Sequence, residues 1–449
     1  MKKPIKALLF LVWVSLALNV EAQQDDTWSL QRCIDFAIKN NIELKQDALA
    51  IQQSQANVEQ GRGNIGPTLN FSTGHNVNWR PWSKSTVNLS GGTLTTTQND
   101  VSYHGSYSLS ANWTVWDGGR KYRNLENYKL AAEMAENDYQ QTANSIEEQI
   151  TQFYVQVLYQ AEAVRVADST LAISILQRDR AAQMVEAGSL ARVDLAQLEA
   201  QAQQDQYSTV STRSQLASYR LQLRQILELD PSTSFDVEDP STADDVVLSP
   251  IPSIDETYDR ALSSRPEFKN CQLALQQAEI QERIARSGRY PSVSLSAGMS
   301  TSHTSASDDP LGTQIKQNVN NSLGLNISVP ILDNRSTKVN KSKALIQKHQ
   351  SELSLANQQK MVRKQVETYW LQASSAQAQY LAARSSVLSA RESYGLVSEQ
   401  FRLGLKNIVE LTTGKNNLLK AEQQLLQAKY TALLNIALLR FYAGEPISL

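Results

Sequence analysis

The chain has 449 residues, 41% of them hydrophobic and 20% charged, and a formal net charge of -2. A charge this balanced offers no basic face for nucleic acid, so nucleic acid is not expected as a partner. Two cysteines exclude a disulfide scaffold, and the four histidines show no ligand spacing with cysteine or acid, so neither a metal nor any other cofactor is expected.

Residues 1–22 read as a secretory signal. Lys2, Lys3 and Lys6 precede an apolar run from Ala7 to Val20, and Val20-Glu21-Ala22 forms a small-residue cleavage site before Gln23. The apolar run is shorter than the roughly 20 residues that span a bilayer. No Cys follows the cleavage point to suggest a lipid anchor.

A first repeat, 23–229, follows. Short helices are expected over 30–39 and 42–64, a β-hairpin over about 67–117 and a long helical hairpin over about 118–229. All twelve prolines lie outside 82–230 and 331–445, and Gly188 is the only glycine between Gly119 and Asp230. Proline and glycine are the main helix punctuators, so each span should be nearly continuous helix with one turn. At 1.5 Å per residue the descending helix, running to Glu186, would be roughly 100 Å long.

The segment 230–252 carries four prolines and six acids without a base and reads as a surface loop. The second repeat, 253–449, then rewrites the first: a helix, a β-hairpin at about 291–333 and a helical hairpin at about 334–445. Ser29 to Gly74 aligns without gaps to Ser253 to Gly298 at an offset of 224, with Asp35 on Asp259, Ala37 on Ala261 and Pro67 on Pro291. Later the offset is 216, pairing Asp117 with Asp333, Gly188 with Gly404, and Val193-Asp194-Leu195 with Val409-Glu410-Leu411. Two copies of one unit at so long a period are not a solenoid.

In the second copy Val362, Val366, Tyr369, Ala373 and onward to Phe401 recur at alternating spacings of four and three, a heptad seam. The first-copy equivalents, Ile146 to Val185, are mostly apolar, with Gln160, Ser174 and Arg178 among them. Both seams stop just before Gly188 and Gly404, where a left-handed residue would end the helix. Asn407 and Glu410 then form an expected capping box. The first copy has Ala191 in place of Asn407, and Ser189 is the expected cap there. Cys33 and Cys271 fall at non-equivalent places in helices, where small-residue packing accounts for both, while a disulfide between them in an oxidising compartment stays open as the alternative.

The hairpins alternate. Tyr107, Leu109, Ala111, Trp113 and Val115 interleave with Ser108, Ser110, Asn112 and Thr114, and Leu323, Leu325, Ile327 and Val329 with Ser322, Gly324, Asn326 and Ser328. Alternation alone fits a soluble sheet or a membrane barrel. Export, small polar partners in place of charges, and Trp79, Trp82, Trp113 and Trp116 as a belt at the strand ends favour the barrel. Four strands cannot close one, since bacterial membrane barrels need at least eight. Two, three or four protomers would give 8, 12 or 16 strands. The competing reading is an exported coiled-coil periplasmic adaptor without channel activity, which the amphipathic strands disfavour.

With its duplicated halves, Val115-Trp116-Asp117-Gly118-Gly119 and Ile331-Leu332-Asp333-Asn334 leaving the strands, and the two glycine turns, the chain resembles the TolC family of outer membrane efflux proteins. The resemblance covers essentially the whole mature chain. It implies a mainly α fold with a β-barrel portion: a homotrimer whose 12-strand outer-membrane β-barrel continues into a 12-helix periplasmic α-barrel with an equatorial belt. It implies a passive exit duct of a tripartite efflux or type I secretion system rather than an enzyme. The implied partners are a periplasmic adaptor (membrane fusion) protein, an inner-membrane RND, ABC or MFS transporter, and outer membrane lipid. By position Glu410 matches the family's first acidic gate ring, Lys406 its basic tie, Phe401 its aromatic tie and Asp194 their acidic partner. Thr413 stands where some members have a second acid.

Overall fold

A computed structural model of the chain describes residues 27–89, 92–230, 233, 235–239 and 244–449. The expected signal segment and part of 230–252 lie outside these residues. Among them the order is β1 (Thr27–Trp28), α1 (Leu30–Asn40), α2 (Ile42–Gly63), β2 (Thr68–Leu89), β3 (Gly92–Trp116), α3 (Arg120–Glu186), α4 (Arg192–Ile226), β4 (Asp236–Val237) and α5 (Asp244–Val247). Then come α6 (Ile254–Ser264), α7 (Pro266–Ser287), β5 (Ser292–Thr304), α8 (Leu311–Gln317), β6 (Asn320–Ser328), α9 (Ser336–Arg402) and α10 (Ile408–Tyr442).

Equivalent residues punctuate the two copies. Ser29 caps α1 by accepting from Arg32 N, and Ser253 caps α6 by accepting from Glu256 N. At the far ends the N–H groups of Asn41 and Arg265 donate to Ala37 O and Ala261 O. The next helices start by different means. Asn41 Oδ1 accepts from Glu43 N at 2.8 Å, whereas α7 begins on Pro266, which has no N–H to satisfy.

Both long helices, α3 and α9, have 67 residues. Each follows two residues in the left-handed region: Gly118 and Gly119 at φ 72° and 79°, then Asn334 and Arg335 at 50° and 66°. The turn therefore survives the loss of both glycines, with the Asp before it as a cap. Asp117 Oδ1 accepts from Lys121 N and Asp333 Oδ2 from Thr337 N. The second-copy seam is buried from Val362 through Val387, as its heptad spacing requires.

The described chain forms two compact units, and each draws on both copies. The first takes residues up to Gln46, Tyr139–Pro266 and Gln359–Leu449. Its core gathers Ile34, Leu44, Ile150, Tyr154, Leu223 and Ile436. β1 pairs in parallel with β4, and the Tyr154 hydroxyl lies 2.8 Å from Glu238 O and 3.1 Å from Trp28 O. The loop expected at 230–252 is thus only partly surface: Val247 is fully buried and Phe235 packs edge-on against Trp28, because apolar residues are set within its acidic stretch. Cys33 is buried and free, its thiol pushed up to about 12 by that burial.

The second unit, Asp47–Asp138 with Glu267–Gln358, holds an antiparallel sheet in the order β2-β3-β5-β6. Beside it the Arg123 guanidinium donates to Gly118 O and Ser287 Oγ, tying the start of α3 to the end of α7. The second hairpin contains α8, which the strand pattern does not announce. Past Ser300 β5 has no β6 partner, and side chains replace it: Gln314 Oε1 accepts from Thr304 N at 2.8 Å, and Asn318 Nδ2 donates to Ser302 O at 2.7 Å. No helix of the described residues is long and apolar enough to cross a membrane.

Candidate functional site

Two turns close the helical hairpins in the first unit, and both are built alike. Gly188 and Gly404 sit at φ 76° and 73°. Gly188 N donates to Val185 O and Ser189 N to Met184 O; Gly404 N donates to Phe401 O and Leu405 N to Gln400 O. Two orphan carbonyls are thereby satisfied at each helix end, which only a left-handed residue at the glycine allows. Ala181, Leu198, Ile408 and Leu411 form a small buried core between the hairpins, with Phe401, Tyr394 and Leu195 packed against it.

The turns differ in how the next helix starts. Asn407 Oδ1 accepts from Glu410 N at 2.9 Å and Glu410 Oε2 accepts from Asn407 N at 3.2 Å, a complete capping box. In the first copy Ala191 occupies the cap position without a side-chain bond. Ser189 does not cap α4 as expected, because its hydroxyl turns back to donate to Met184 O of the preceding helix.

Lys406 also donates to Glu410 Oε1. That ammonium, and after it the Asn407 N–H, hold the Glu410 carboxyl below the usual glutamate range, so it is ionised at neutral pH. Within the chain Lys406 therefore pairs with Glu410 and not with Asp194, which makes no ion pair among the described residues. Phe401 lies with the apolar core, four of the expected residues thus sharing one end of the unit.

A second polar cluster, absent from the sequence reading, joins three helices. Asp205 of α4 and Lys415 of α10 are buried to 7% and 4% exposure. Lys415 Nζ lies 2.5 Å from Asp205 Oδ2 and 2.7 Å from Ser174 Oγ of α3, while Gln201 Nε2 donates to Asp205 Oδ1 at 2.9 Å. Nearby Gln177 Nε2 donates to the Tyr394 hydroxyl at 2.8 Å. The available signal was Ser174, a polar residue in the seam whose second-copy equivalent is Ala390. Gln160, the other uncharged polar seam residue, likewise donates to Gln215 of α4 and lines an open cleft with Gln156, Gln222, Gln424 and Gln427.

In the second unit the ladder sorts side chains by parity. Leu69, Phe71 and Val77 of β2 share a face with Val101, Leu109 and Trp113 of β3, Leu295 and Met299 of β5, and Leu323, Leu325 and Ile327 of β6. Ser, Thr, Asn and Gly make up most of the opposite face, with Arg80 and His104 among them. The apolar face is the unusual one, because most of these large side chains are exposed. All four tryptophans are exposed too. Trp113 and Trp116 end β3, but Trp79 and Trp82 do not end a strand: β2 continues to Leu89 past an irregularity between Arg80 and Ser83, where Pro81 lacks the N–H a regular ladder needs. His303 is 5% exposed because its ring packs where a Cβ on Gly105 would stand.

The family model described as "Outer membrane efflux protein" matches residues 33–228 and again 257–445. The outer membrane efflux protein BepC of Brucella suis biovar 1 is 22% identical over 356 residues, covering 78% of this chain and 74% of that one. The outer membrane protein TolC of Salmonella enteritidis is 23% identical over 344 residues, covering 76% and 69%. Among solved structures, CusC, studied for folding and transmembrane channel formation, superposes with a TM-score of 0.80 at 19% identity, covering 93% of this chain and 92% of that one. That likeness establishes the fold.

Proposed function

The chain belongs to the outer membrane efflux protein family, and from that premise we propose how its geometry works as an exit duct of a tripartite efflux or type I secretion system. It is an outer membrane protein of a channel family, not an enzyme family. The observation that carries the mechanism is the two-faced sheet with open edges on β2 and β6. An open edge in lipid leaves amides unpaired, so the edges pair between protomers. Three copies give a 12-strand barrel, apolar face to lipid and the Ser/Asn/Gly-rich face to the pore, with twelve hairpin helices, α3, α4, α9 and α10 of each copy, continuing into the periplasm.

Two tryptophan levels fit this placement. Trp79 pairs with Val101, 12 residues along β3 from Trp113. At about 3.4 Å per residue and a tilt of about 45° their heights differ by roughly 28 Å, close to the ~25 Å apolar band of such barrels.

The glycine turns form the periplasmic end, and Glu410, Lys406, Phe401 and Asp194 form its gate. Glu410 is the ring charge, Lys406 holds it, Phe401 packs the turn and Asp194 faces it from the first hairpin. A periplasmic adaptor protein docks on this end and connects it to an inner-membrane RND, ABC or MFS transporter. The exposed apolar sheet face weighs against a soluble adaptor. Single-channel recording on E410Q tests the gate: Gln preserves the capping box, so the expected result is a higher closed-state conductance with weaker cation selectivity. Unchanged conductance and selectivity would reject the gate role. A heat-modifiable, detergent-requiring trimer on gels tests the barrel.

A further inference from the structure

Below the strand ends of the second unit, the last turns of α7 and the first turns of α9 enclose, with Arg120, a cleft of about 570 Å³. Arg120, Thr337, Asn340 and Lys343 line it, and Gly288 lies at its edge with the Thr337 side chain packed where a Cβ would stand. Arg120 has only a 3.6 Å contact with Asp117 and keeps a 60% exposed side chain. The helix beside it is strongly biased. From Arg335 to Lys348 it carries Arg335, Lys338, Lys341, Lys343 and Lys348 without one acid. Of these only Lys348 makes an ion pair among the described residues.

Two further features distinguish this place. Ile331 and Leu332, immediately before the helix, are 96% and 87% exposed, although nothing in a water-facing turn favours two bare aliphatic side chains. Arg335 adopts φ 66° where the first copy has Gly119, so a long cationic side chain is kept at a position that would be less strained as glycine. Cations and exposed aliphatics side by side, at the border of an apolar band, match the chemistry of a phospholipid: a phosphate at one end and acyl chains at the other.

We propose that this cleft binds the phosphodiester headgroup of an anionic phospholipid in the inner leaflet of the outer membrane. Arg120 and Lys343 contact the phosphate, Asn340 donates to one of its oxygens, and Ile331 and Leu332 enter the acyl region beside it. The α9 N-terminus is not the source of affinity, since Asp333 already accepts from Thr337 N. Free phosphate would leave the aliphatic pair without purpose. The inference rests on the membrane placement proposed above.

The test uses the full chain purified in detergent, titrated with dioleoyl-phosphatidylglycerol, dioleoyl-phosphatidylcholine or inorganic phosphate, and read by native mass spectrometry and thermal unfolding. Phosphatidylglycerol alone is expected to be retained and to raise the unfolding midpoint. R120Q/K343Q should bind it about thirtyfold more weakly, with an unchanged midpoint in lipid-free detergent. I331S/L332S should weaken retention of the lipid but not change the response to phosphate. Equal binding of phosphatidylcholine, competition by inorganic phosphate at equal concentration, or unaltered binding by R120Q/K343Q would overturn the site. So would dissociation of R120Q/K343Q without lipid, which would assign the cleft to a second copy of the chain. A chain that stays soluble and monomeric without detergent overturns the membrane placement as well, whereas a detergent-requiring assembly indifferent to phosphatidylglycerol overturns the site alone.

Discussion

Removing Lys415 isolates one member of a buried charge pair, and the structure sets the order of the effects. In K415M the Asp205 carboxylate keeps two donors, Ser174 Oγ at 2.5 Å and Gln201 Nε2 at 2.9 Å. The expected loss lies near the lower end of the range for breaking such a pair, about 3 kcal/mol. In D205L the ammonium keeps only the Ser174 hydroxyl at 2.7 Å, and the loss approaches about 5 kcal/mol. S174A leaves the two charges in contact and costs about 1 kcal/mol. K415M/D205L removes both charges and fills the space with apolar atoms, so it recovers most of the loss. Hydrogen exchange by mass spectrometry on peptides around 205 and 415 reads the local opening free energy of each variant. If the double variant is as unstable as the two single losses added together, the charges are not coupled and the reasoning fails.

The Glu410 carboxyl has a lowered pKa in the folded chain, against an ordinary value of 4.5. Its contribution to the turn is therefore fully present above the unfolded value and is lost as pH falls through the lower folded one. Exchange protection of the amides at the start of α10, corrected for intrinsic rates, should be flat from pH 8 to about 5 and decline below about 4; E410Q should abolish that decline. Gly404→Ala meets no neighbouring atom, so only its φ of 73° is penalised. The expected destabilisation of the turn is about 1–2 kcal/mol, seen as faster exchange at Leu403 to Asn407, and Gly404→Asn should lose less. Wild-type protection in Gly404→Ala would mean that the turn is not held in the left-handed form.

Periodicity exposed the long elements because they obey it. The absence of proline and glycine marked α3 and α9, and strict alternation marked the sheet faces, since a one-residue slip would turn Leu323, Leu325 and Ile327 to the polar side. What stayed hidden depends on pairings between distant residues. The seam gave no partner for Ser174, because Asp205 and Lys415 are brought to it only when three helices pack. Ser189 looked like a cap from its place alone, but its hydroxyl found a nearer carbonyl behind it. α8 could not be read within a hairpin, since its role is to supply Gln314 and Asn318 to an edge that the strand pattern leaves unmatched. The family resemblance placed Lys406 opposite Asp194, whereas a carboxylate four residues away on the same turn is the closer partner within the chain.

These contacts also rank the ways in which the hairpin end can loosen. The Lys406–Glu410 pair is about 40% exposed, so water competes with it readily. The Gln177–Tyr394 bond between α3 and α9 is half-buried and neutral, worth about 0.5–1.5 kcal/mol. The Lys415–Asp205 pair is buried, and separating its members strands two charges. An outward movement of α9 and α10 at the Gly404 turn carries the Lys406–Glu410 pair with it and releases the Tyr394 bond to α3 first. It is checked at the depth of Ser174, where α3, α4 and α10 share one charge pair. The first copy's polar seam residue accordingly marks the lower limit of a stiff region, and the gate residues lie on the side of it where disruption is cheap.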